Sequence, residues 1–142
     1  MSAMPEHQAY TRPQTLADVA ERVLTHGLAT YTATIKEFLD EYRALKRSQS
    51  VEATRAARIQ MVQATPKAFN HAIFNAHIAG LAEHILFDND VPPAEWPAWI
   101  DAPERFLAEP AYFGGKHARD HLMIETPAAF RRRLLFCGRV YL

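Results

Sequence analysis

Between Pro66 and Phe87 the chain carries more apolar surface than a helix lying on one layer can use. At helical spacing the segment puts Phe74, Ile78, Leu81 and Ile85 on one face and Phe69, Ile73, Ala76 and Gly80 on the adjoining face. A helix apolar over so wide an arc has to be covered from several sides, which predicts a helical bundle with this segment at its centre. Thr65-Pro66 supplies a start signal, an N-cap followed by a proline at the first helical position, where a missing N–H costs nothing. A bilayer could also cover such a helix. Asn70, His71, Asn75, His77, Glu83 and His84 interrupt the run, however, and groups of that kind are expensive in hydrocarbon, so no membrane association is expected.

The flanking segments supply the covering helices. Thr15 followed three residues later by Asp18 has the form of a capping box; Leu16, Val19, Ala20, Val23 and Leu24 then recur at helical spacing up to Gly27, a natural stop. A second helix is predicted from about Ala29 to Arg47 on the stripe Tyr31, Ile35, Phe38, Leu39, Tyr42 and Leu45. Ser50 can cap a third, running to about Ala64, with Ile59, Met61 and Val62 inward and Arg55 and Arg58 on a wetter face. From Asp88 to Gly115 the prolines Pro92, Pro93, Pro97, Pro103 and Pro110 forbid any long helix. The aromatics Trp96, Trp99, Phe106, Tyr112 and Phe113 can anchor this stretch as an ordered wrap of short turns. Helices from Lys116 to about Glu125 and from Pro127 to about Leu134 complete the set, and the only strand signals are Leu135-Phe136-Cys137 and Val140-Tyr141-Leu142. The expected fold is all-α: a flexible arm over residues 1–13, then one irregular helical bundle over 14–142 with a long central helix and a Pro- and aromatic-rich wrap.

Charge narrows the function classes. Lys plus Arg and Asp plus Glu both number 16, so the broad positive field that gathers nucleic acid is missing and no direct nucleic-acid partner is expected. The charges are nonetheless segregated. Residues 83–109 hold Glu83, Asp88, Asp90, Glu95, Asp101, Glu104 and Glu109 against Arg105 alone, while Arg43, Lys46, Arg47, Arg55, Arg58 and Lys67 concentrate earlier and Arg131, Arg132 and Arg133 at the end. A single cysteine, Cys137, forbids an internal disulfide, and Met1 to Pro13 lacks a basic start and apolar run, which together predict a cytoplasmic protein.

Signals for catalysis are few. Asn70, His77 and His84 fall seven apart on one stripe of the central helix. That spacing separates the imidazoles by about 10.5 Å along the axis, too far to share one metal ion. His117 and His121, four apart beside Asp120, have zinc-helix spacing without the adjoining glutamate that hydrolytic zinc helices use. Cys137 lacks a recognisable base, which favours a small buried hydrophobe over an activated thiolate. Neither a metal nor another cofactor is expected. A small metal-dependent enzyme using His77, His84, His117 or His121 stands as the alternative to a binding protein.

Five segments in order carry a resemblance: Ile35-Lys36-Glu37-Phe38-Leu39-Asp40-Glu41-Tyr42, Leu81-Ala82-Glu83-His84, Val91-Pro92-Pro93-Ala94-Glu95-Trp96, Pro103-Glu104-Arg105-Phe106-Leu107 and Thr126-Pro127-Ala128-Ala129-Phe130-Arg131-Arg132-Arg133. Together they resemble a bacterial family of small helical proteins encoded beside minimal nucleotidyltransferases in toxin–antitoxin pairs. Where that family carries a Pro-Trp-Phe-type element, this chain has Pro110-Ala111-Tyr112-Phe113. The resemblance implies a non-enzymatic antitoxin that binds a nucleotidyltransferase and restrains it by occlusion. The residues expected to carry the interface are Glu95, Trp96, Trp99, Phe130, Arg131, Arg132 and Arg133, since aromatics and arginines dominate desolvated interface centres. The alternative, favoured for the tryptophans, is that Trp96, Trp99 and Phe130 are core anchors, with the arginines capping helix C-termini or bonding carbonyls.

Overall fold

The computed structural model describes residues 10–45, 50–113 and 118–142. It is mostly helical, as the periodicity predicts, with six α-helices and one two-residue strand pair among the described residues. Helix α1 (Leu16–His26) opens on the expected capping box: Thr15 Oγ1 accepts from the Asp18 amide at 3.0 Å, and Asp18 Oδ2 accepts from the Thr15 amide at 3.2 Å. It stops at Gly27, whose φ of 108° is open to glycine and strained for other residues. Leu16, Val19, Ala20 and Val23 face inward.

A single 3-10 turn, Leu28–Thr30, leads into α2 (Tyr31–Ala44), which buries Tyr31, Ile35, Phe38 and Tyr42. Residues 46–49, where the sequence places the end of this helix, lie outside the described residues. The described part of the amino-terminal arm, residues 10–13, is held to the bundle. Residues 1–9 lie outside the description, but Pro13 is buried, Arg22 Nη1 donates to the Tyr10 hydroxyl at 3.2 Å and Arg12 reaches Glu41 at 3.7 Å.

Helix α3 (Val51–Gln60) is capped by Ser50, whose hydroxyl accepts from the Ala53 amide at 3.2 Å. Its inward face differs from the expected one. Arg58 is buried, its Nε and Nη2 donating to the Tyr42 carbonyl at 3.3 and 3.1 Å and its guanidinium lying 3.8 Å over the Tyr42 ring. The long arginine stem fills core space that the sequence assigned to water.

Helix α4 (Ala72–Asp88) is the central helix, and it begins six residues later than Thr65-Pro66 suggests. The cause is Asn75, whose side chain accepts from the Phe69 amide and donates to the Phe69 carbonyl, both at 2.8 Å. Those two bonds satisfy the Phe69 backbone outside a helix, and His71 Nδ1 supplies the cap by accepting from the Phe74 amide at 3.2 Å. Asn70 therefore stands off the helix, and the stripe of 70, 77 and 84 is reduced to its two histidines. From Asn75 to Leu86 nearly every α4 residue is inside, Glu83 included.

The wrap is three 3-10 turns, Pro93–Glu95, Ala98–Asp101 and Pro103–Arg105, of which the second and third are laid against α4. Beyond it, β1 (Ala111–Tyr112) pairs in parallel with β2 (Leu135–Phe136), so the partner of Leu135-Phe136 is this segment and not Val140–Leu142. Helix α5 (Arg119–Glu125) and the one-turn α6 (Ala128–Arg131) lie between the strands in sequence. The last helix stops short of Leu134, which adopts a left-handed φ of 61°. One hydrophobic cluster draws on α1, α2, α4, the wrap, α6 and β2. Among the described residues no helix is long and apolar enough to cross a membrane.

Candidate functional site

The seven residues expected to form an interface separate into interior and surface groups. Phe130 and Arg133 are fully buried and Trp99 nearly so, which removes all three from any exposed contact surface. Phe130 packs closely against α4 at Gly80: a β-carbon there would stand 2.7 Å from its ring. Trp99 packs in the core, with the Arg105 guanidinium 5.0 Å from its ring centre. Glu95 and Arg131 are exposed, Trp96 is half-buried with its Nε1 donating to the Val91 carbonyl at 3.0 Å, and Arg132 is partly exposed.

The arginine triplet is divided by a buried carboxylate. Arg133 Nη1 donates to Glu83 Oε1 at 2.8 Å and to the Ala129 carbonyl at 2.8 Å, while its Nη2 donates to the Ile100 carbonyl at 2.6 Å. Arg132 Nε reaches the same Glu83 oxygen at 2.6 Å, and its Nη2 meets both Glu83 and, at 2.6 Å, Asp101. Phe106 lies beneath both guanidiniums, 5.1 Å from Arg132 and 4.8 Å from Arg133. Burial pulls the Arg133 guanidinium below its ordinary pKa, and the bond to Glu83 opposes that pull. These two arginines therefore join α4, the wrap and α6 into one body. Arg133 Nε, also buried, has no hydrogen-bond partner among the described residues.

Glu83 was visible in the sequence as a carboxylate inside the widest apolar helix. A buried charge needs an opposite charge, and the triplet at the other end of the chain supplies it.

Surface charge follows from what is buried. Asp88, Asp90, Glu95, Asp101, Glu104 and Glu109 are all exposed. Arg105, the one Lys or Arg between residues 84 and 109, is inside, donating from Nη2 to the Pro66 carbonyl at 2.9 Å. Its Nε and Nη1, with Trp99 Nε1 beside them, have no hydrogen-bond partner among the described residues. Asp101 is neutralised by Arg132, and Asp88 accepts from the Tyr42 hydroxyl at 2.6 Å with Arg58 at 3.9 Å. No ion pair among the described residues involves Asp90, Glu95, Glu104 or Glu109. A surface with several free carboxylates and a half-buried indole is left.

The histidines do not converge. His77 and His84 are half-buried and both pack against Phe130, their rings 5.3 and 6.1 Å from its centre. His121 is exposed, and His117 lies outside the described residues. Among the described residues no three of His, Cys, Asp and Glu gather as metal ligands. His77 instead meets a residue that the sequence gave no reason to single out: its Nδ1 is 2.6 Å from the Tyr31 hydroxyl, across 46 residues. Burial holds the His77 imidazole down at about 4, pushes the Tyr31 phenol well above its ordinary value, and pushes the neighbouring Cys137 thiol up to about 11. At neutral pH all three groups are uncharged. A thiol held in that form is a poor nucleophile.

Elsewhere a cavity of about 450 Å3 opens between α3 and the end of α4. Its two arginines are already engaged: Arg58 with Tyr42, and Arg55 with the helix-end carbonyls of Asn89 and Asp90 at 2.6 and 3.3 Å. In comparisons with known proteins, the chain matches no family model, no curated protein and no solved structure.

Proposed function

We propose that this chain is a non-enzymatic binding protein, an antitoxin that docks on a basic surface of a nucleotidyltransferase and restrains it by covering the path of its anionic substrates. The observation that carries the reading is the acidic wrap, in which the only cation of residues 84–109 is turned inward and Asp90, Glu95, Glu104 and Glu109 are left outward around Trp96. Such a surface attracts a basic partner electrostatically and repels nucleotides and RNA, so a chain of this kind can act by competing for the partner's substrate-binding face. Trp96 supplies the apolar contact, and Arg131, exposed at the end of α6, supplies a donor. The identity of the partner class comes from the ordered resemblance of the five segments. The occlusion mechanism comes from the charge.

The test is co-purification with a co-expressed minimal nucleotidyltransferase, followed by a nucleotide-transfer assay with increasing amounts of the binding protein. Stoichiometric inhibition that weakens with salt is expected. Replacing Glu95, Glu104 and Glu109 together with lysine should reduce binding at least about tenfold by lost attraction, with the urea midpoint unchanged because all three are exposed. Undiminished binding by the triple variant would remove the acidic wrap from the mechanism. Failure of the wild-type chain to bind or inhibit would end the antitoxin reading.

A further inference from the structure

Where α2, α4 and the carboxy-terminal segment meet, a cavity of about 210 Å3 is bounded by Tyr31, Ile35, Phe74, His77, Phe113 and Cys137, with the exposed Thr32 completing its lining. It shares no residue with the acidic stretch 84–109, and among the described residues no charged side chain contributes to its lining. We infer that this cavity is a binding site for a small neutral molecule of one aromatic ring bearing one hydroxyl- or amide-like group.

Size sets the ring count. A dry cavity of about 150 Å3 accepts benzene, so this one holds a single ring with a short substituent. The walls set the ring's chemistry, because Phe74, Phe113, Ile35 and the Cys137 sulfur offer apolar, polarisable contact. Two lining residues, Thr32 and Phe113, are exposed, so the cavity is open to solvent.

The polar requirement comes from Tyr31 and His77. Stacking on Phe74, at 4.1 Å and 8° between planes, together with an edge contact to Phe69 at 5.6 Å, fixes the Tyr31 ring. Its hydroxyl is thereby held against His77 Nδ1. A neutral imidazole has two tautomers. When Nδ1 is bare, the phenol donates to it and keeps oxygen lone pairs for a ligand donor; when Nδ1 carries the proton, it donates to the phenol and frees the O–H for a ligand acceptor. One pair of residues can thus meet either a hydroxyl or a carbonyl. An ionised ligand would enter without a counter-charge, which burial makes unfavourable.

The full chain, isotopically labelled, is titrated with phenol, toluene and benzoate at neutral pH while amide shifts and melting temperature are followed. Phenol should move the signals of Tyr31, Phe74, His77 and Cys137 and raise the melting temperature; toluene should do the same more weakly, and benzoate should do neither. Tyr31→Phe keeps the rings and should weaken phenol about fivefold, the worth of one net hydrogen bond, with toluene unaffected. Cys137→Leu fills the space and should abolish both. Equal affinity for phenol and toluene in the wild type, benzoate binding as tightly as phenol, or no shifts at the cavity residues would each overturn the inference. The wild-type comparison and the Cys137→Leu variant decide the matter even if Tyr31→Phe does not fold.

Discussion

Replacing Glu83 with glutamine keeps the size and one acceptor of the side chain while removing the only carboxylate that forms an ion pair with Arg133 among the described residues. Arg133 has no exposed surface, so after the substitution its charge retains the Ala129 and Ile100 carbonyls and no counter-ion. Breaking a buried pair in this one-sided way costs about 3–5 kcal/mol. The retained carbonyl dipoles place the expected cost at the lower end, about 3 kcal/mol. Arg132 adds little, because its side chain is 41% exposed and it keeps Asp101. At about 3 °C per kcal/mol for a chain of this size, the melting temperature should fall by roughly 10 °C.

Urea unfolding followed by tryptophan fluorescence and circular dichroism reads the change as a lower midpoint at constant slope. A double-mutant cycle separates the pair from the cavity effects of each substitution. Adding Arg133→Met to Glu83→Gln replaces the stranded cation with an apolar chain of similar length, and should recover about 2 kcal/mol relative to Glu83→Gln alone. Arg131→Ala, from the exposed member of the triplet, should stay within about 0.5 kcal/mol of the wild type. A loss below about 1 kcal/mol for Glu83→Gln, or no recovery in the double variant, would refute the placement of Arg133 as an interior cation held by Glu83.

Gly80→Ala improves intrinsic helix propensity by about 1 kcal/mol, yet its β-carbon would meet the fully buried Phe130 ring at 2.7 Å, so overpacking of about 1–3 kcal/mol should leave the variant net less stable in a thermal melt. A melting temperature at or above that of the wild type would show that α6 can shift away from α4. For pH, His77 is depressed to about 4 in the fold against 6.5 unfolded, so the unfolded chain binds the extra proton and stability is lost as the pH falls from about 6.5 to 4. The difference of about 2.5 units corresponds to about 3 kcal/mol, fully lost only below pH 4. His77→Phe should flatten the urea midpoint across that window relative to the wild type, and a parallel pair of pH curves would refute a buried neutral imidazole.

The parts of the fold that the sequence specified are those whose signals are local. The Thr15–Asp18 capping box, the Gly27 stop and the Ser50 cap are each complete within a few residues, and each appears where the sequence places it. The start of α4 was misplaced because a valid local signal, Thr65-Pro66, lost to Asn75, whose side chain holds Phe69 from six residues away. The Tyr31–His77 contact was beyond any spacing rule, since it spans 46 residues and two helices. The parallel pairing of β1 with β2 was hidden for the same reason, and two residues per strand leave almost no alternation to detect.

Burial of a charge has consequences at the surface as well as in the core. The sequence counts seven carboxylates against one arginine over residues 83–109, and a simple sum leaves the cation to neutralise part of that field. Folding changes the sum by taking Glu83 and Arg105 inside together, Glu83 to Arg132 and Arg133, Arg105 to the Pro66 carbonyl and the Trp99 face. The side chains left outside are of one sign. The aromatic residues sort similarly: Trp99 and Phe130 hold the wrap and α6 to α4, and the half-buried Trp96 remains as the indole with surface to offer. An interface built here has to work through free carboxylates and one ring, so its strength should be more sensitive to salt than that of a contact dominated by buried aromatic anchors.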